Sequence, residues 1–166
     1  MALQNSPIIA PKNQFMLLVK TTVKPSKIHG LGLFALQFIP KGCEIWKFTS
    51  GFDQKFSREQ ILKFPKLLQI YLCKYAWRSQ KSKLYILAVD DAKYFNHSEE
   101  PNCLSEYRTN EEEVVTVGIR DIQIGEEITD NYSSFADKIN GEDVLKYIEN
   151  KYGLSDEVDP RLKNLN

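Results

Sequence analysis

The sequence predicts a mainly β protein with short helices. Two stretches, residues 57–75 and 140–153, have apolar positions at intervals of three and four, the spacing of an amphipathic helix. A chain of 166 residues is long enough to bury a single core without disulfides or metals, so one domain is expected. Short apolar runs predict the strands, at residues 15–23, 33–38, 43–48, 84–89 and 114–119.

Turn residues and burial patterns distinguish the predicted strands. The run at residues 15–23 is apolar and ends in β-branched residues, as expected of a strand buried on both faces. Pro40 and Gly42 lie between the next two runs, a turn sequence that predicts a β-meander. The acidic residues 111–113 come just before the last run and predict a solvated hairpin end.

The two helices have recognisable start and stop signals. Ser57 and Gln60 have the spacing of a capping box, in which each side chain bonds the other residue's backbone N–H. Pro65 is expected to kink or restart this helix. Asn140 is the predicted N-cap of the second helix, and Gly153 is its predicted stop.

Composition argues against several classes of function. Lys plus Arg and Asp plus Glu both number 22, so there is no basic field of the kind that binds nucleic acid non-specifically. The apolar runs are too short to span a bilayer, and the first residues do not resemble a signal peptide, so an intracellular protein is expected. The cysteines, Cys43, Cys73 and Cys103, form no Cys-x-x-Cys pair, which predicts free thiols rather than a zinc site.

The residues 94–103 show neither the strand nor the helix period, and we interpret them as a shaped loop. Asn96 offers one acceptor and two donors, and His97 offers two ring nitrogens, so together they are able to hold a polar ligand. The alternative is an Asx-type turn stiffened by Pro101, which composition alone favours.

Two further stretches contain candidate functional residues. Gly30 and Gly32 allow a backbone to approach a ligand closely, although a tight hairpin turn explains the same spacing equally well. His29 comes just before Gly30. By itself it is more typical of a turn residue than of a residue that binds a ligand. After the turn at Gly125, an extended segment places Tyr132 at its end.

These motifs, in this order, closely resemble the signature of the SET-domain protein-lysine methyltransferases. They read Gly-x-Gly-x-Phe-Ala at residues 30–35, Tyr-Phe-Asn-His-Ser-x-x-Pro-Asn-Cys at 94–103, and Gly-Glu-Glu-Ile-Thr-x-x-Tyr at 125–132. The resemblance implies a fold of several small curved β-sheets around a knot-like C-terminal threading. It also implies an N-terminal tail (1–13), a SET domain (14–136) and a C-terminal helical segment (137–166).

The resemblance further implies a methyl donor, S-adenosylmethionine, with S-adenosylhomocysteine as the product. Lys93 stands where the family often has arginine, so a positive charge near the donor carboxylate is kept while a bidentate fork is lost. The family's donor-binding positions match these residues of the chain: Lys27, His29, Gly30, Leu31, Gly32, Lys93, Asn96 and His97.

Tyr132 matches the family's catalytic tyrosine, which aligns the target amine with the donor methyl. Tyr85 and Tyr94 are the candidates for the aromatic channel that desolvates the substrate lysine. Asp130 occupies the channel position where the family usually has phenylalanine or tyrosine, the position that governs how many methyl groups fit.

The chain departs from many family members in having no cysteine-rich zinc cluster after the tyrosine. The missing wall is expected to come from Phe135 and the helix carrying Tyr147 and Tyr152, or from a partner subunit, which leaves a homodimer open. The expected partner is a lysine-bearing protein substrate, histones included. One alternative is a catalytically silent SET-fold module that binds a protein partner, and another is a β-rich structural protein without a ligand.

Overall fold

The computed structural model describes residues 16–138 and 143–154, and every structural statement below refers to these ranges. The predicted tail (1–13), the predicted N-cap at Asn140 and the polar end from residue 155 lie outside them. The strands are β1 (Thr21–Pro25), β2 (Leu31–Ala35), β3 (Glu44–Lys47), β4 (Gln54–Phe56), β5 (Trp77–Arg78), β6 (Tyr85–Leu87), β7 (Asn96–His97), β8 (Cys103–Tyr107), β9 (Val114–Gly118) and β10 (Glu127–Asp130). The helices are α1 (Arg58–Lys63), α2 (Lys66–Tyr75) and α3 (Val144–Tyr152), and 3-10 turns span Asp91–Tyr94 and Tyr132–Ser134.

The strands form three small sheets, which confirms the predicted fold class, and the first sheet brings distant motifs together. Its order is β1-β2-β10-β7, with β10 antiparallel to β2 and parallel to β7. In the parallel pairing Thr129 lies opposite Asn96, and Asp130 lies opposite His97. The end of β10 therefore runs beside residues 94–103, which we call the central loop, just before Tyr132.

The other sheets have the orders β3-β9-β8 and β4-β6-β5. The predicted meander is wrong, because β2 and β3 belong to different sheets. Ile39 exchanges two backbone hydrogen bonds with Ile122, at 3.0 and 2.8 Å, before the turn at Gly42 begins. Since the chain leaving β2 is already paired there, it does not fold back on β2.

The helix signals correspond to real helix ends. Gln60 N donates to Ser57 Oγ at 3.3 Å, and Ser57 N donates to Gln60 Oε1 at 2.7 Å, so the capping box is confirmed. Pro65 separates α1 from α2, and Gly153 ends α3 with a left-handed φ of 65°. The helix α3 begins after Asp143, whose carboxylate accepts from Leu145 N at 2.8 Å. No helix in the described ranges is long and apolar enough to cross a membrane.

One prediction about burial is wrong, and a second fails at one residue. The strand β1 begins at Thr21 and lies at the edge of its sheet, so its residues are half-buried or exposed rather than buried on both faces. Glu113, in the predicted solvated hairpin end, is only 1 % exposed. Its carboxylate accepts hydrogen bonds from Lys55 Nζ at 2.8 Å and from Ser79 Oγ at 2.7 Å, and these partners compensate its burial.

Three hydrophobic clusters support these sheets. One joins α1, α2 and α3 to β6, and a second lies under β2, β3 and β10. The third is aromatic and includes Trp46, Phe48 and Phe135, with Trp77 and Tyr132 packed against it. The three cysteine thiols are free, and two of them, Cys73 and Cys103, are buried.

Candidate active site

The central loop is held in place at both ends. The Asp90 carboxylate accepts from Ala92 N at 2.9 Å and from Leu17 N at 2.8 Å, which starts the 3-10 turn and ties it to the N-terminal side of the domain. The loop then joins the first sheet as the two-residue strand β7. Long-range pairing thus shapes the loop. This agrees with its sequence, which has neither the strand nor the helix period.

Asn96 links the glycine loop to β10. Its Nδ2 atom lies 3.2 Å from the His29 carbonyl oxygen, 3.1 Å from that of Leu31 and 2.8 Å from Glu127 Oε1. All three contacts are to residues distant in sequence, so Asn96 does not form the Asx-type turn. Its amide oxygen accepts no hydrogen bond from any described residue and remains able to bind a donor from a ligand.

The two glycines serve different purposes. Gly30 has a left-handed φ of 46° and its carbonyl accepts from Ser26 N at 2.9 Å, so the hairpin-turn interpretation of this segment is correct. Gly32 leaves space for a neighbour: a Cβ added there would lie 2.1 Å from Glu127 Oε1 and 3.1 Å from Asn96 Nδ2. Because Glu127 also accepts from Ser26 Oγ at 2.9 Å, one carboxylate ties both the loop and Asn96 to β10.

Beside this loop lies a cavity of about 130 Å³, which we call the outer cavity. Two of its side chains, Lys74 and Lys93, are positively charged, and no carboxylate of a described residue lines it. It therefore favours a ligand with an anionic group. Its lining residues are His29, Gly30, Leu31, Lys74, Tyr75, Lys93, Tyr94, Phe95, Asn96 and Tyr132.

A smaller cavity of about 30 Å³, the inner cavity, adjoins it, and six of its thirteen lining residues are aromatic. The two cavities share Tyr75, Lys93, Phe95 and Tyr132. The other residues that line the inner cavity are Trp46, Trp77, Ala88, Ala92, Ser105, Val114, Thr116, Asp130 and Phe135.

Tyr132 stands where the two cavities meet. Its hydroxyl donates a short hydrogen bond to the Phe95 carbonyl oxygen, and its backbone N–H donates to His97 Nδ1 at 3.3 Å. Since that ring nitrogen accepts, the proton of His97 is on Nε2, which lies 3.0 Å from Glu99 Oε1. His97 thus supports Tyr132 from behind, with the two ring centroids 5.1 Å apart.

Asp130 and Lys93 are the charged residues of the inner cavity wall, and Asp130 is 2 % exposed. Ser105 donates to it twice, from N to Oδ1 at 3.2 Å and from Oγ to Oδ2 at 2.5 Å. Burial raises the pKa of Asp130 to about 7, although the Ser105 hydrogen bonds act in the opposite direction.

The structure places the predicted site residues unevenly. Lys93 and Tyr132 line both cavities, while Tyr94 lines the outer cavity rather than the predicted channel. Lys27 is exposed and lines neither cavity. Gly32 and His97 line neither cavity but contact residues that do: Gly32 leaves space for Asn96, and His97 accepts a hydrogen bond from Tyr132 N.

Tyr85 does not lie in the channel, and this expectation is corrected. Its hydroxyl donates to Asp143 Oδ2 at 3.1 Å and accepts from Val144 N at 3.2 Å, so it anchors the start of α3. Burial raises the pKa of Tyr85 to about 12. One face of Tyr85 borders a larger open depression, of about 580 Å³, whose lining includes none of the residues of either cavity.

The expected C-terminal wall is also only partly seen. Phe135 lines the inner cavity, whereas Tyr147 is exposed and Tyr152 donates from its hydroxyl to Gln69 Oε1 at 2.9 Å, away from both cavities.

Sequence reasoning missed several lining residues. Trp46 and Trp77 come from separate strands, and no local pattern relates them to the central loop. Tyr75 and Lys74 end the helix α2, where the spacing of apolar residues indicated only an amphipathic helix. Glu127 belongs to a turn motif, Gly-Glu-Glu, that carries little information alone.

Comparisons with known proteins identify the family and the fold. The SET domain model matches residues 30–133, more than half of the chain. A Plasmodium falciparum protein named as a candidate histone methyltransferase shares 22% identity and a TM-score of 0.50, covering 70% of this chain and 95% of that one. The search of curated proteins found no match.

Chains of the Chaetomium thermophilum Polycomb Repressive Complex 2 have the same fold. The complex bound to GSK126 gives 19% identity and a TM-score of 0.57, and an autoinhibited form bound to S-adenosylmethionine gives 18% and 0.54. Both cover 80% of this chain but only 17% of theirs. With the family model matched over most of the domain, the chain belongs to the SET-domain family.

Proposed function

We propose that this protein is an S-adenosylmethionine-dependent protein-lysine N-methyltransferase. The observation that carries the proposal is the pair of adjoining cavities, one lined by lysines and Asn96 and the other by aromatic rings, with the Tyr132 hydroxyl at their junction. A methyl group passing from a donor in the outer cavity to an amine in the inner cavity must pass this hydroxyl. The proposed catalytic domain is residues 14–136.

The residues of the outer cavity fit the donor's polar end. S-adenosylmethionine supplies a methyl group on a positively charged sulfur, which makes the methyl reactive toward an amine. Its carboxylate is matched by Lys74 and Lys93, and its amino group by the unengaged Asn96 amide oxygen. The left-handed turn at Gly30 brings the loop backbone to the cavity wall.

Tyr132 and the rings of the inner cavity position the substrate amine. A free lysine has a pKa of about 10.4, so it is almost wholly protonated at neutral pH and unreactive. Aromatic walls exclude water and thereby disfavour the ammonium form. The Tyr132 hydroxyl and the Phe95 carbonyl oxygen then hold the amine and the polarised methyl in line, which is how positioning accelerates a transfer of this kind.

A lysine-bearing protein is the proposed substrate. Histones are the first to test, because the solved structures with this fold include a candidate histone methyltransferase. The second candidate function, a catalytically silent binding module, is favoured by one observation: the buried carboxylate of Asp130 stands in the channel wall, where the family usually has an aromatic ring.

Calorimetric titration with S-adenosylmethionine, followed by transfer of its radiolabelled methyl to core histones and to a cell extract, tests the proposal. Tyr132→Phe keeps the ring and removes the hydroxyl, so donor affinity should stay near the parent value while turnover falls about a hundredfold. Tyr147→Phe is the matched control, since Tyr147 is exposed and lines neither cavity. Donor binding without transfer to any substrate would favour the silent module, and unchanged turnover in Tyr132→Phe would remove Tyr132 from the mechanism.

A further inference from the structure

The inner cavity combines a firmly anchored carboxylate with a cage of rings. Asp130 is held by two hydrogen bonds from Ser105, and Ser105 Oγ is in turn 2.7 Å from Thr116 Oγ1. The Trp46 and Trp77 rings meet edge to face with centroids 6.1 Å apart, and the Trp77 and Phe135 centroids are 5.5 Å apart. Ring faces and a carboxylate both attract a cation, so the wall is suited to an ammonium group.

One residue that lines the cavity, Trp46, has an unused hydrogen-bond donor. Among the described residues, the indole Nε1 of Trp46 is the buried side-chain nitrogen or oxygen atom without a hydrogen-bond partner. Trp46 is 2 % exposed and lines this cavity. An unsatisfied buried donor is relieved only by an acceptor, so an ammonium, which has none, would bind the ring of Trp46 rather than its N–H.

The volume of about 30 Å³ is close to that of a single small polar group, so a bound group there lies within contact of most of the lining. We propose that Asp130 binds the ammonium of the substrate lysine and accepts its proton before methyl transfer. The inference rests on the proposed function and adds a second catalytic residue to Tyr132.

The step balances as follows. One N–H bond of the ammonium breaks, its electron pair remains on nitrogen, and an O–H bond forms on Asp130. The nitrogen lone pair then bonds the methyl carbon while the sulfur–methyl bond breaks, its electrons remaining on sulfur. The product is a methylated ammonium, and Asp130 returns its proton to water when the product leaves.

The surroundings support this role. The Ser105 hydrogen bonds favour the ionised carboxylate, and Lys93 lines the same cavity. Tyr75 and Tyr132 face the cavity from other elements, and the Cys103 thiol on β8 lies close enough to interact with Asp130. His97, opposite on β7, bonds Glu99 and Tyr132 instead. A pKa of about 7 suits a proton acceptor at neutral pH.

The first test needs no activity. The chain has two tryptophans, so their indole N–H signals can be followed by nuclear magnetic resonance during titration with n-butylammonium, an analogue of the lysine side chain. The parent should bind n-butylammonium at least tenfold more tightly than the uncharged n-butanol, and Asp130→Asn should lose this preference. Asp121→Asn, the same change at an exposed residue outside both cavities, should keep it. Equal binding of both compounds by the parent would overturn the proposal.

The second test is the pH dependence of methyl transfer to core histones. In the parent, kcat/KM should rise to a plateau with a midpoint near the Asp130 pKa of about 7. In Asp130→Asn it should be lower and keep rising toward the pKa of free lysine, about 10.4. Identical profiles would overturn the role of Asp130 and leave the methyltransferase assignment intact. Asp130-dependent ammonium binding without any transfer would support cation recognition and refute the enzyme assignment instead.

Discussion

Gly32→Ala offers the most direct test of how the donor side of the site is assembled. The added Cβ would lie 2.1 Å from Glu127 Oε1 and 2.7 Å from its Cδ, far inside contact distance. The Glu127 carboxylate must therefore move, and it is the flexible end of a side chain. Its movement breaks the hydrogen bonds from Asn96 Nδ2 at 2.8 Å and Ser26 Oγ at 2.9 Å.

The size of the effect follows from these two hydrogen bonds. Each hydrogen bond to a charged group contributes about 1.5 to 3 kcal/mol when buried. Because Glu127 is only half-buried, water replaces part of that contribution, and we expect the free energy of unfolding to fall by about 2 kcal/mol. Asn96 also loses its fixed orientation, so donor affinity should fall about tenfold, equivalent to about 1.4 kcal/mol.

Urea unfolding measures the stability, and calorimetric titration with S-adenosylmethionine measures the affinity. Gly118→Ala is the control, since the nearest atom to its added Cβ is the Pro40 carbonyl oxygen at 3.4 Å, an ordinary contact outside both cavities. A double-mutant cycle with Glu127→Ala isolates the clash. If the Glu127 carboxylate is the group displaced, Gly32→Ala should lower the free energy of unfolding by less than about 0.5 kcal/mol in the Glu127→Ala background. An undiminished cost there would refute the reasoning.

Three further predictions concern other parts of the site and fold. Asn96→Ala removes the link to the glycine loop and should weaken donor binding tenfold or more, measured by calorimetry; parent-like affinity would contradict the donor site. Because folding raises the pKa of Asp130 from 3.8 to about 7, its contribution to stability is fully present below about 3.8 and is lost progressively as the pH rises to about 7. The loss is up to about 4 kcal/mol, which urea unfolding across this pH range should detect in the parent and not in Asp130→Asn. Asp143→Ala removes the N-cap of α3 and should cost about 1 to 2 kcal/mol in urea unfolding with donor affinity unchanged, and a change in affinity would place α3 in the donor site.

Several elements were predictable because their causes are local. The capping box of Ser57 and Gln60, the break at Pro65 and the helix end at Gly153 each depend on residues a few positions apart, and each prediction is confirmed. The family could also be identified from sequence, since its motifs are contiguous and their order is specific.

Sheet partners and burial were not predictable in this way. The separation of β2 from β3 results from the pairing of Ile39 with Ile122, over 80 residues away in the chain. Glu113 is buried because Lys55 on β4 and Ser79, just after β5, supply its hydrogen bonds. A local pattern shows which residues are apolar or charged. It does not show which distant strands pair with them or which distant side chains compensate the burial of a charge.

The sequence by itself determined the fold class, the family and the three short motifs, because strand and helix signals and motif spacing act over short distances. Only the tertiary structure decided that Tyr85 belongs to the α3 anchor, that Trp46 and Trp77 form the inner cavity, and that Glu127 organises the glycine loop. These residues are joined by packing between separate sheets, where side chains meet through the path of the whole chain. The same packing puts Trp46, Trp77 and Phe135 around the carboxylate of Asp130, whose place in the channel the family motif had already indicated.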